Sequence, residues 1–160
     1  MTYWKWRKEV GMERRYIQCD RDKCTGCLIC EFACSASKEG SFDLERSRIH
    51  VIQPTPSMIA VAVCQFCRNS PCIKACPRDA LSIDEATHTL KLEKARCAGC
   101  GWCIEVCPFG AITLDESTKS VIMCDLCPDH PQPRCIEVCP QKALSLYVSK
   151  RNQSREPTRG

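Results

Sequence analysis

The chain has 160 residues, a formal net charge of +4, 44% hydrophobic residues and 17 cysteines. One domain or two small ones fit that length, and no run of about 18 apolar residues offers a membrane span. The opening residues carry charge without the apolar core of a secretory leader, so the cysteines read as reduced cytoplasmic thiols and not as a secreted disulfide framework.

Residues 1–15 read as an N-terminal arm. Its opening, "MTYWKWRKEVG", sets Tyr3, Trp4 and Trp6 among basic residues. Aromatics with arginine are favoured interface anchors, so the arm is expected to dock on a partner or on another copy of this chain. Arg14-Arg15 runs straight into the cysteines with no apolar stretch, which argues against a twin-arginine export signal. "YIQCD" reads as a first strand, with Cys19 as a small buried hydrophobe.

Four cysteine groups follow: Cys24, Cys27, Cys30 and Cys34; Cys64, Cys67, Cys72 and Cys76; Cys97, Cys100, Cys103 and Cys107; Cys124, Cys127, Cys135 and Cys139. Between the third and fourth cysteine of each, "EFA", "IKA", "IEV" and "IEV" read as single helical turns, which place i and i+4 on one face. Pro77, Pro108 and Pro140 stop three of these turns. No proline follows Cys34, so that helix is expected to run through "SASKEG" to Gly40 as its C′ residue. "RIHVIQ" and "MIAVAV" read as strands separated by the breaker "PTP".

The last three groups close with "CPRDALSI", "CPFGAITL" and "CPQKALSL", an internal repeat of about thirty residues. In each, alternation predicts a short strand, with Leu81 and Ile83, Ile112 and Leu114, and Leu144 and Leu146 on the inner face. "DEATHT" and "DESTKS" are polar turns, so two hairpins follow. Residues 149–160 are polar and aperiodic, a tail that is disordered or ordered by a partner.

Zinc favours two separated C-x2-C pairs. Here a third cysteine follows at once, and the fourth sits on a helical turn before proline. The run C-x2-C-x2-C-x3-C-P is that of two-cluster ferredoxins, where the fourth cysteine serves the other cluster. Gly26 and Gly99 suit the tight backbone such a loop needs. Four oxidised clusters, each about −2 with its thiolates, would turn +4 into about −4, so nucleic acid is not an expected partner. Lys23, Arg68, Lys74, Arg78, Arg96 and Arg134 read as solvated surface, with tuning of cluster potential as the sharper alternative. Trp102, Phe66 and Phe109 are expected to pack against clusters. His50, His88 and His130 carry no evident chemistry, and no catalytic set stands out.

These groups resemble those of the iron–sulfur subunits of the dimethyl sulfoxide reductase and formate dehydrogenase type. They are also similar to small four-cluster ferredoxin subunits of hydrogenases, carbon monoxide dehydrogenases and tungsten aldehyde oxidoreductases. The resemblance covers about Tyr16 to Tyr147. It implies an α+β fold, residues 16–148, of two interleaved bacterial ferredoxin-like modules, the inner one (about 58–115) nested in the outer. It implies four [4Fe–4S] clusters held by exchanged ligands: Cys24, Cys27 and Cys30 with Cys139; Cys124, Cys127 and Cys135 with Cys34; Cys64, Cys67 and Cys72 with Cys107; Cys97, Cys100 and Cys103 with Cys76. Some relatives lose a cysteine of the third group and hold a three-iron cluster, whereas this chain keeps all four.

The resemblance further implies an electron-transfer subunit, not an enzyme by itself. It would relay electrons between a catalytic oxidoreductase subunit and an external donor or acceptor such as a flavin subunit or another ferredoxin. A tungsten or molybdenum pterin aldehyde oxidoreductase is the favoured catalytic partner. The alternatives are a free, diffusible polyferredoxin, or a subunit of a hydrogenase, carbon monoxide dehydrogenase or acyl-CoA reductase complex.

Overall fold

The computed structural model of the chain describes residues 14–149. The expected docking arm, residues 1–11, and residues 150–160 of the tail lie outside the described residues. Short antiparallel ribbons and short helices make up the rest, an α+β arrangement. Strand β1 (Arg14–Cys19) pairs with β8 (Leu144–Ser149), the two ends of the described chain, with Arg14 opposite Ser149 and Cys19 opposite Leu144. Ile17 faces the core, while Tyr16 packs on Tyr147 at a centroid distance of 5.1 Å with the Arg14 guanidinium over its ring. The ribbon begins and ends one or two residues outside the expected bounds of 16 and 148.

Three hairpins fill the interval: β2 (Ile49–Thr55) with β3 (Met58–Val63), β4 (Leu81–Ile83) with β5 (Leu90–Leu92), and β6 (Ile112–Asp115) with β7 (Ser120–Met123). The last two are the hairpins expected at "DEATHT" and "DESTKS". In the first turn, Asp84 Oδ1 accepts from the N–H groups of Ala86 and Thr87, an Asx-type turn. In the second, Asp115 Oδ1 accepts from the Ser117 N–H at 3.0 Å. Strand β2 runs through Pro54, later than the expected break, with a register shift between Ile52 and Thr55. A two-stranded ribbon leaves each strand one free edge, where a missing N–H costs nothing. The first and third hairpins straddle residues 58 and 115, so the expected inner-module boundaries cut through ribbons.

Four helices carry the third cysteine of each group: α1 (Ile29–Glu39), α2 (Pro71–Ala75), α3 (Trp102–Glu105) and α4 (Arg134–Glu137). The last three are single turns ended before a Cys-Pro, since proline cannot continue the helix. Helix α1 has no such stop and runs on for 11 residues until Gly40, at φ 66°, donates its N–H to Ala36 O. Its added turn bears Lys38 and Glu39. Helix α1 packs against α4, and α2 against α3.

The core is small. Ile17, Ile49, Val63, Leu81, Ile112, Val121 and Leu144 are buried together with eight of the cysteines. Only the first apolar residue of each repeated strand is core: Ile83 and Leu146 are exposed and Leu114 is half-buried, in contrast to the expected inner face.

Candidate metal centres

The cysteine loops are shaped by a repeated backbone device. Two residues after the first cysteine, every group turns left-handed: Gly26 (φ 69°), Phe66 (φ 46°), Gly99 (φ 64°) and Leu126 (φ 61°). This folds the loop back so that N–H groups face sulfur. Phe66 N lies 3.5 Å from Cys64 Sγ, and Leu126 N lies 3.4 Å from Cys124 Sγ. Three residues after the fourth cysteine, the chain turns left-handed again at Asp79, Gly110 and Lys142. The next residue is a buried alanine: Ala80, Ala111 or Ala143. Ala80 N donates to Cys76 Sγ and Ala143 N to Cys139 Sγ, both at 3.3 Å. The alanine lies in the quoted repeat but carries no chemical signal, and sequence reasoning passed over it.

The structure brings cysteines of different groups together. Cys24, Cys27, Cys30 and Cys139 line one cavity of about 360 Å³, its mouth included. Cys34, Cys124, Cys127 and Cys135 line a second of about 290 Å³. Cys76, Cys97, Cys100 and Cys103 line a third of about 340 Å³. The remaining four are also neighbours: after burial, which raises the thiol pKa of Cys64, Cys67 and Cys72, the nearby Cys107 raises each further. The sets lie close to one another. Cys30 lies near Cys135, and Cys64 near Cys124. The other two sets share α2, which carries Cys72 and leads into Cys76, and α3, which carries Cys103 and leads to Cys107.

Each set stands around a space instead of converging on a point. Among the described residues no group of three or more His, Cys, Asp or Glu is drawn in around a single ion. Thiols spread around a void of this kind, with N–H groups turned toward their sulfurs, fit an iron–sulfur cube and not a tetrahedral zinc.

Burial pushes the Cys30 and Cys64 thiols up to about 12 and Cys103 up to about 11. Cys76 goes the other way: burial acts to raise it, but the N–H groups of Ala80, Arg78 and Leu81 outweigh it. A ligand thiol must lose its proton to bind metal, so metal binding and proton release are coupled here. Cys19, outside the four groups, is half-buried beside Cys24 and Cys139. Burial first, then these neighbours, pushes it up to about 12, which keeps it a neutral thiol.

Other expected positions differ. Phe66 is buried, but Trp102 is 63% exposed and Phe109 46%, so neither is packed away against a site. His130 Nε2 lies 3.1 Å from Ser37 Oγ and joins the fourth-group insertion to α1. His50 Nδ1 lies 3.7 Å from Glu31, whose carboxylate is buried beside Cys30 and accepts from the Val51 N–H. Glu31, Lys38 and Arg48, charged residues held between elements around the outer sites, were not singled out from sequence.

A family model described as a 4Fe-4S dicluster domain matches residues 57–149, the span of the second, third and fourth groups. The polyferredoxin-like subunit of an aliphatic sulfonate oxidoreductase from Pyrococcus furiosus is 39% identical over 124 residues, covering 78% of this chain and 72% of that one. The putative electron transport protein YsaA of Escherichia coli is 40% identical over 140 residues, covering 81% and 87%. Among solved structures, a chain of the active site complex BamBC of benzoyl coenzyme A reductase superposes with a TM-score of 0.52 at 25% identity, covering 86% of this chain and 81% of that chain.

Proposed function

The chain belongs to the 4Fe-4S dicluster domain family, and on that premise we propose that it is the relay subunit of an oxidoreductase complex, with four [4Fe–4S] clusters in a row. It is an iron–sulfur electron-transfer protein, as its relatives are by name. The observation that carries the finer reading is that each of three cavities is lined by four cysteines drawn from two separate groups. We assign the ligands accordingly: Cys24, Cys27, Cys30 and Cys139; Cys34, Cys124, Cys127 and Cys135; Cys64, Cys67, Cys72 and Cys107; Cys76, Cys97, Cys100 and Cys103. The proximity of Cys30 to Cys135 and of Cys64 to Cys124, with the helices α2 and α3 shared by the last two sets, supports the order in which the sets are written here. Each cluster, when bound, supplies a one-electron couple. The protein holds the sulfurs, donates N–H groups to them and excludes water from the middle of the row.

The ends of the row differ from its middle. Among the described residues, the two exposed cysteines are Cys27 and Cys100, one in each terminal set. Exposed apolar side chains flank both ends in sequence, Ile29, Phe32 and Phe42 at one and Trp102, Val106 and Phe109 at the other. These ends are where a donor and an acceptor protein would meet the chain. The outer and inner modules would then be two ferredoxin-like halves, each completed by hairpins that straddle their boundary.

For the catalytic partner, a tungsten or molybdenum pterin oxidoreductase is supported by the resemblance of the cysteine groups and by a relative named as an oxidoreductase subunit. An acyl-CoA reductase is the second reading, supported by the likeness to a benzoyl coenzyme A reductase chain. No helix among the described residues is long and apolar enough to cross a membrane, and a cytoplasmic location suits reduced thiols. Anaerobic affinity purification from the native host tests the reading. The expected result is about sixteen iron and sixteen sulfide per chain, with a co-purifying subunit that carries tungsten or molybdenum. Recovery of the fully loaded chain alone would make it a diffusible carrier. Deleting residues 1–11 should weaken the complex or any self-association and leave iron content unchanged.

A further inference from the structure

The outer two cysteine sets are built alike but lined differently. No charged side chain lines the cavity of Cys24, Cys27, Cys30 and Cys139. The cavity of Cys34, Cys124, Cys127 and Cys135 is also lined by Lys38, Arg48 and Asp125. Both cations are largely out of water, with side chains 11% and 15% exposed. Lys38 is offset by Asp125 at 2.6 Å on the same wall. Arg48 is not offset there. Its Nη2 donates to Glu39 Oε1 at 2.7 Å, and Glu39 is not part of the cavity wall. Glu39 is itself shared, since its second oxygen pairs with Arg46 at 2.9 Å.

Arg48 Nη1 is buried and has no hydrogen-bond partner among the described residues. A buried, charged donor left unpaired is costly, so this atom marks an acceptor that the protein itself does not supply. The Arg48 main chain is fixed against the same set, its N–H donating to Cys34 Sγ at 3.4 Å.

We propose that Arg48 raises the electron affinity of the cluster held by Cys34, Cys124, Cys127 and Cys135, its free Nη1 donating to sulfur there, and makes this the outer centre on which an added electron rests. The inference depends on the ligand sets assigned above. Reduction adds negative charge, which a fixed cation in a water-poor interior stabilises, and hydrogen bonds to sulfur act in the same direction. The neighbouring set has the opposite bias, with the buried Glu31 carboxylate beside Cys30 and no cation on its wall.

The test is a redox titration of the anaerobic full-length protein followed by electron paramagnetic resonance. Cys34→Ser and Cys124→Ser locate the signal of this cluster. Arg48→Met should lower the midpoint of that signal by at least a tenfold change in the reduced-to-oxidised ratio, about 59 mV for a one-electron couple. Arg48→Lys, which keeps the charge, should recover at least half of the shift. Glu39→Gln breaks the same ion pair but leaves the guanidinium, and should raise the midpoint. If Arg48→Met fails to load iron, Glu39→Gln decides, and a fall in its midpoint overturns the inference. An Arg48→Met shift that lysine does not recover, or no shift in the signal that both cysteine variants perturb, overturns the inference alone. If Cys34→Ser and Cys124→Ser perturb different signals, the ligand sets are wrong and this inference falls with them.

Discussion

A methyl group added at Gly99 would lie 2.5 Å from the main-chain oxygen of Lys119, on a backbone already at φ 64°. The clash is with backbone, so nothing nearby can rotate away. Gly40 has a similar φ of 66° but open space around it. Gly40→Ala should therefore cost only the left-handed strain, about 1–2 kcal/mol, whereas Gly99→Ala should also disturb the loop of Cys97 and Cys100 against the β6–β7 turn. Iron content and thermal midpoint check this: Gly40→Ala should load fully, and Gly99→Ala should lose iron from one set. Equal behaviour of the two would show the contact to be unimportant. Ligand exchange makes a second residue-level prediction. Cys76→Ser should alter the same spectroscopic signal as Cys97→Ser and spare the one altered by Cys72→Ser, although Cys76 directly follows the helical turn that carries Cys72. Grouping by sequence instead would refute the assigned sets.

Between elements, the added length of α1 is what the charged contacts use. Glu39 on its last turn holds Arg46 and Arg48, and Arg46 reaches on to Asp115 at the end of β6, at 3.1 Å. Asp115 is buried. Hydrogen bonds from Ser117 and Thr118, with Arg46 beside it, hold its carboxyl well below the ordinary value of 3.8. A carboxylate with a depressed folded value contributes stability that is complete above its unfolded value and is lost as pH falls below it. Asp115→Asn should therefore melt below the parent, and the gap should stay constant across neutral and mildly acidic pH, because it begins to narrow only below 3.8 and is lost only as pH falls through the depressed folded value. Thermal midpoints of both iron-loaded proteins at neutral and mildly acidic pH, where the clusters are retained, check it, and a gap that closes well above 3.8 would contradict it.

Much of this level was legible. Cysteine spacing located the helical turns, and the polar "DEATHT" and "DESTKS" located two hairpins, because turn chemistry is local. The missing proline after Cys34 announced the long α1. What was not legible is what joins distant segments. Arg48, Glu39 and Arg46 look like ordinary surface charges in sequence, and only the packing of β2 and the Leu44–Arg46 turn on α1 buries them. Trp102 was expected to pack against a cluster, but the single turn of α3 is too short to bury both its faces and leaves it exposed.

At the scale of the whole molecule, the described residues enclose little apolar interior, and eight of the cysteines are part of what is buried. Domains this size bury a modest share of their surface, and here metal binding supplies folding free energy. Anaerobic chelation should therefore abolish the cooperative melt and the strand signal in far-ultraviolet circular dichroism. A metal-free chain that still melts cooperatively would show that the ribbons stand without the clusters.

The pairing of β1 with β8 also imposes an order in time. Cys19 lies opposite Leu144, 125 positions later, so at roughly 5–20 residues per second the ribosome delivers the second strand about 6–25 s after the first. Until then the opening third of the chain has neither its partner strand nor α4 to pack against. The hairpins between Leu81 and Met123 need no such wait. A released fragment ending at Met123 should thus take up iron at the two sets that Cys107 completes, about half the full complement, and leave the Cys24 group exposed to whatever assembly factor or oxidant reaches it first.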